Sequence, residues 1–260
     1  MVDSIPLKLA VYQKFNRFFY EAAGGMTSYK HYDHSTLVEG GSSASERDRM
    51  EYEERFRFGY EVSDDIAVFI QPTFNQRRYS NILNPLRDSD GFGLAGGSTY
   101  TFSPTSSIEG TFGYSGQSTA GGGGTTTALI YGLMGSWNGY APLTLRPNIS
   151  RTISESALSA YRNIVQTVYG VDFTYLIHEA WTAIGGLSYT TAEYEPSTGA
   201  NAGTPRSDNF FRGQIGFLYS LRPQISIGPV YEYTQGSSTD AVAGPSFDRQ
   251  IFSVRLVARR

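Results

Sequence analysis

The chain contains no cysteine, which excludes a disulfide framework and any thiolate-held metal. Histidine is almost as scarce, with three in 260 residues. His31 and His34 stand three apart beside Asp33, but no further ligand joins them, so they read as polar residues at a strand rim. His178, next to Glu179, reads as a turn residue. A surplus of one charge sign is missing too. The formal net charge is −3, and the basic footprint that nucleic acid requires is absent.

Long hydrophobic runs are also lacking. Gly110–Leu145 carries no charge, but its apolar core, ALIYGLMGSW, is short and interrupted by glycine, so no transmembrane helix is expected. The opening residues Met1-Val2-Asp3-Ser4-Ile5-Pro6 have neither the basic region nor the apolar core of a secretory signal. An envelope destination therefore requires that signal to have been removed. The glycine run Gly121–Gly124 is followed by threonines rather than Lys, so it is a loop tip and not a phosphate cradle.

What is abundant is aromatic residues and glycine: 19 Tyr, 16 Phe and 29 Gly. Their arrangement is clearest in RMEYEERFRFGYEV, Arg49–Val62. Every second residue from Met50 (Tyr52, Glu54, Phe56, Phe58, Tyr60, Val62) is apolar or aromatic except Glu54. The interleaved residues (Arg49, Glu51, Glu53, Arg55, Arg57, Gly59, Glu61) carry both charge signs. A period of two predicts a strand with one oily and one wet face. Its length exceeds the usual five or six residues, as a strand crossing a layer about 25–30 Å thick would.

The same rhythm continues along the chain. Leu7–Phe15 alternates weakly before a tight Asn16-Arg17 turn. From Phe18 onward twelve strands are expected: Phe18–Tyr32, Arg49–Val62, Ile66–Tyr79, Asp90–Phe102, Ser107–Gln117, Thr125–Trp137, Pro142–Thr152, Ser159–Leu176, Ala180–Tyr194, Asp208–Leu221, Gln224–Gln235 and Phe247–Ala258. Short turns alternate with longer polar loops between them. Such alternation predicts an all-β, up-and-down antiparallel transmembrane β-barrel of about 12 strands, 12–14 at the limits. Residues 1–17 are an N-terminal segment or remnant strand, and residues 18–260 the barrel. An internal echo suggests a four-strand unit: IAVFIQP, LTLRP and ISIGP end at Pro72, Pro147 and Pro229. A proline inside a strand withholds a ladder donor, so local bulges are expected there.

Alternation alone does not say whether the oily face meets lipid or a core. A soluble sandwich or barrel with an aromatic core is the competing reading. Lipid is favoured because aromatics cluster at both strand ends and aliphatics lie between them. Phe18, Tyr60, Phe102, Trp137, Tyr175, Trp181 and Tyr219 lie at the short-turn end, and Tyr52, Phe74, Tyr114, Tyr161, Tyr189, Phe211 and Tyr233 at the loop end. Val68, Leu129, Val165, Leu187, Ile215, Ile227 and Val254 lie in the middle. Two aromatic girdles around an aliphatic band describe an outer-membrane wall.

The wet faces then line the lumen. Their ionisable residues are Glu21, Arg49, Glu51, Glu53, Arg55, Arg57, Glu61, Arg77, Glu109, Arg146, Arg162, Asp172, Arg212, Glu232 and Arg255. Every cation counted is arginine, which pairs bidentately with carboxylates. Two readings stay open: a network that stiffens or fills the lumen, or an eyelet that selects polar or anionic solutes. No motif fixes a catalytic geometry. A set of His31 with Ser28 or Asp33 would place Ser28 on the lipid face, so no enzyme, cofactor or metal is expected.

QRRY at a strand end, RDSDGFGL, the long AYRNIVQTVYGVDFTYLI and the terminal FDRQIFSVRLVARR resemble the bacterial outer-membrane family called putative β-barrel porin 2. The matching motifs are Arg87-Asp88-Ser89-Asp90-Gly91-Phe92, Tyr231 to Ser237, and Asp248-Arg249. The resemblance spans Phe18–Arg260 and implies an outer-membrane location, with lipid and small polar solutes or polysaccharide as partners. Porin-like passage is the function it favours. A non-conducting structural or assembly barrel, linked to polysaccharide export, is the alternative, with an outer-membrane hydrolase behind it. Two departures stand out. Family members carry further strands before the position of Phe18, and the chain ends Ala258-Arg259-Arg260 instead of in an aromatic residue. The chain is then either a truncated form or a smaller relative whose first segment lies outside the wall.

Overall fold

The structure, a computed structural model, describes residues 2–32, 48–80, 87–120, 124–156, 160–197, 203–240, 244 and 246–258. Asp33, His34 and the glycines at 121–123 lie outside them. The described residues form one sheet of thirteen strands in chain order. They are β1 (Val2–Phe15), β2 (Phe18–His31), β3 (Arg49–Glu61), β4 (Ile66–Tyr79), β5 (Ser89–Ser103), β6 (Ser106–Thr119), β7 (Gly124–Tyr140), β8 (Leu143–Glu155), β9 (Tyr161–His178), β10 (Trp181–Pro196), β11 (Arg206–Arg222), β12 (Ile225–Ser238) and β13 (Phe247–Ala258). Each pairs antiparallel with its neighbours, and β1 and β13 are the two edges.

The leading segment is a strand of this sheet. β1 pairs with β2 along its whole length, from Val2 opposite His31 to Phe15 opposite Phe18. Asn16 turns the corner with φ 56°, a left-handed conformation that Asn tolerates better than most side chains. Ile5, Leu7, Leu9 and Val11 extend the apolar face and are exposed.

Register carries face identity across the sheet, because residues directly opposite each other share a face. The apolar face shows a ladder of rings on neighbouring strands: Phe18–Tyr60 at 4.9 Å, Phe74–Phe92 at 5.3 Å and Trp181–Tyr219 at 5.0 Å between centroids. Leu94, Phe112, Leu129, Leu187 and Ile215 are exposed between them. An apolar surface running across thirteen strands would not stay in water, but it suits the hydrocarbon of a bilayer.

The expected bulges at the three prolines are absent, and gaps take their place. Pairing of β4 with β3 stops at Thr73 and resumes at Ile70 in the same register, leaving Pro72 unpaired on that side. β8 skips Pro147 against β7, and β12 skips Pro229 against β11. On the other side each proline is paired, with Leu94, Val171 and Val254. A missing N–H removes one rung and adds no residue, so the register holds.

Candidate functional site: the polar face and a segment that crosses it

The wet face begins on β1. Register places Lys8 and Lys14 on the same side as Gly25 and Phe19 of β2, and these stand opposite Glu53 and Gly59 of β3. The cations of this face are therefore not all arginines. Lys14 Nζ lies 2.7 Å from Glu61, a pair that the weak alternation of the first strand does not reveal in the sequence.

Most of the expected lumen residues meet an opposite charge. Arg55 pairs with Glu21 at 2.5 Å, and Arg49 with Glu51 at 2.7 Å. Arg57 donates to Glu109 through both terminal nitrogens at 2.9 Å, and to Gln71 at 2.7 and 3.0 Å. Its guanidinium also lies 3.9 Å from the Phe69 ring centre. Arg212 meets Glu232 at 2.5 Å, and Arg249 approaches the same carboxylate at 3.5 Å. Arg162 is 3.7 Å from Glu195. Arg77 is 3.9 Å from Glu51, Arg146 stands opposite Asp172, and Glu53 lies beside Lys8 and Arg55 around a shallow cavity. Arg255 sits on the edge strand β13 opposite Gly228.

One of these contacts defines curvature. β3 and β6 are three strand spacings apart, about 14 Å along the sheet. Arg57 and Glu109 meet because the sheet bends toward the polar face. Small residues leave room for that bend on β5, where Gly91, Gly93, Ala95 and Gly97 face inward opposite Asn75, Thr73, Gln71 and Phe69.

The larger surprise is the loop end of β8 and β9. The β7–β8 ladder runs from Tyr140 to Tyr131 and ends opposite Arg151; beyond it, β8 and β9 stay paired with each other up to Glu155–Asn163. Glu155 reaches Arg49 of β3 at 3.1 Å and Arg87 at 3.0 Å, and it accepts the Tyr79 hydroxyl. The Ser156 carbonyl accepts from Arg87 at 2.6 Å. Arg77 reaches the Ile153 carbonyl and Asn163, both at 3.4 Å, and Asn163 donates to Thr126 of β7 at 3.2 Å. Along the sheet, β8 is five strands from β3, roughly 24 Å. Such contacts require the segment to lie across the concave side.

Two residues assigned to the lipid face are corrected by the structure. Tyr161 is buried against the Tyr194 ring at 5.1 Å, with its hydroxyl on the Thr204 carbonyl, and Val165 is 3 % exposed. By register Val165 shares a face with Tyr169, which is exposed lower on the same strand. At the loop end that face lies against β6 and β7, where Gln117, Thr126 and Ala128 are buried. Glu155 was missed because the sequence places it in a loop, where alternation assigns no face. The available signal was length: β9, at 18 residues, is the longest strand.

A model of the family described as "Putative beta-barrel porin 2" matches residues 1–260. Among curated proteins none matches the sequence. Among solved structures, the FrpB iron transporter from Neisseria meningitidis (F3-3 variant) superposes with a TM-score of 0.58 at 10% identity, covering 99% of this chain and 48% of its own. The copper transporter OprC superposes with a TM-score of 0.53 at 10% identity, covering 97% and 49%. The chain thus spans about half the length of these two proteins. At such identity the likeness concerns the fold.

Proposed function

Because the chain belongs to the putative beta-barrel porin 2 family, an outer-membrane β-barrel family, we propose that its polar face lines a path for passive, porin-like passage of small hydrophilic solutes. The observation that carries this reading is the division of the sheet into two solvents. A continuous apolar face is exposed on one side, and Arg, Lys and Glu from β1 to β13 converge on the concave other side. A polar concavity behind a lipid-facing wall is a hydrated route across a membrane. The mixed charges favour small polar solutes over ions of one sign. The test is planar-bilayer conductance of the folded, inserted protein. Step-like channel events are expected, and their absence from demonstrably inserted protein would defeat the proposal.

A second reading, a non-conducting structural or assembly barrel of the envelope, draws on the Arg–Glu pairing and on the bridge from Glu155 to Arg49 and Arg87. Recovery of stable envelope partners together with silent bilayers would favour it.

A further inference from the structure

We propose that the loop-side ends of β8 and β9, at Ile153 to Ser156 and Tyr161 to Asn163, form the constriction of this path, pinned inside by Glu155 and Asn163 and setting the size of solute that passes. The inference rests on the passage reading above. A rim loop would leave the wall ladder closed beneath it, whereas here β8 leaves β7 beyond Arg151. Ser156 is 0% and Asn163 1% exposed, so the side of the segment that meets β7 and Arg87 is covered. Its anchors come from the opposite wall: Arg49 and Tyr79 at the loop ends of β3 and β4, and Arg87 just before β5. Immediately below it lies a cavity of about 300 Å³ lined by Lys8, Glu51, Glu53, Arg77 and Ile153. Both charge signs face this chamber, which suits a small polar solute without net charge, such as a monosaccharide or a zwitterion.

The pinning is ionic and hydrogen-bonded at a site shielded from solvent. Removing the negative charge leaves two guanidinium groups facing an uncharged partner, which is unfavourable in such surroundings. Glu155→Gln should therefore free the segment while preserving its volume. Two readouts separate the claims. The first is labelling of Ser156→Cys by a membrane-impermeant maleimide in a chain that has no other thiol. Slow labelling is expected for the single variant, and labelling at least tenfold faster once Glu155→Gln is added. The second is swelling of proteoliposomes in sugars of increasing size. Glu155→Gln should admit sugars that the unaltered protein excludes. Should that variant fail to fold, Arg87→Ala removes from the opposite side the contacts to Glu155 and to the Ser156 carbonyl, leaving Arg49 and Tyr79 on Glu155, and should accelerate labelling to a lesser degree.

Fast labelling of Ser156→Cys alone, or slow labelling that neither variant accelerates, overturns the pinned segment and leaves the passage reading intact. Released labelling with an unchanged size cut-off overturns the segment as the limiting constriction. Folded, inserted protein that passes not even the smallest sugar, with or without Glu155, overturns the passage reading and this inference together.

Discussion

Arg57 shows what one side chain contributes to this sheet. Its guanidinium holds Gln71 on the adjacent strand and Glu109 three strands away, so it sets curvature as well as neutralising charge. Glu109 also accepts from Thr99 at 3.0 Å and is only partly exposed. Arg57→Ala leaves that carboxylate without its fork, an effect of about 1.5–3 kcal/mol for hydrogen bonds to a charged group. Urea unfolding in lipid vesicles should show a loss of that size, and Arg57→Lys should recover only part of it, because an ammonium cannot form the two parallel bonds. The double variant with Glu109→Ala should cost less than the two single variants added together. Additive losses would show that the pair does not act as a unit. Membership of the wet face was legible by counting in twos from Arg49. The partner of each arginine was not, because partners depend on register and bend. Lys8 and Lys14 were lost to weak alternation in the first strand, and Val165 to a face that changes its surroundings along β9.

At the level of elements, strand order and most boundaries were readable from alternation and turn residues, since neighbouring strands are also neighbours in sequence. The proline seams were only half legible. Their spacing was visible and their geometry was not, because alternation cannot distinguish a bulge from a missing rung. In β8 the Pro147 ring packs 3.1 Å from where a Cβ would stand on Gly135, the residue that the register places opposite it. Pro147→Val supplies the absent N–H and should close the β7–β8 ladder. The added hydrogen bond, about 0.5–1.5 kcal/mol, is nearly offset by the freedom returned to the unfolded chain, about 0.4–1 kcal/mol. Stability should therefore change little. Amide exchange is the sharper measurement: the new amide at position 147 should exchange as slowly as its ladder neighbours. Exchange at an unprotected rate would mean that the gap has a cause other than the lost donor.

For the whole molecule, the decisive question is which solvent each face meets, and adjacent residues on β7 can answer it. Leu133 and Met134 are both apolar, so the sequence pattern loses its alternation here, and only register separates them. Leu133 stands opposite Gly110 and Ile149 on the face of Leu129 and Trp137, while Met134 stands opposite Glu109 and Asn148. Both lie near the middle of a 17-residue strand. Arginine at position 133 would enter hydrocarbon near the bilayer midplane, at a cost of about 2–4 kcal/mol. Arginine at position 134 would enter the polar concavity beside a carboxylate and should cost under about 1 kcal/mol. Unfolding in vesicles should thus separate Leu133→Arg from Met134→Arg by at least about 1 kcal/mol. The gap should shrink in thin, short-chain bilayers, where a long side chain reaches the interface more easily. Equal penalties would mean that both faces see the same surroundings, which a wall between hydrocarbon and a hydrated lumen does not allow. A larger penalty at position 134 would invert the assignment of lumen and lipid, and with it every residue placed on the polar face from Lys8 to Arg255.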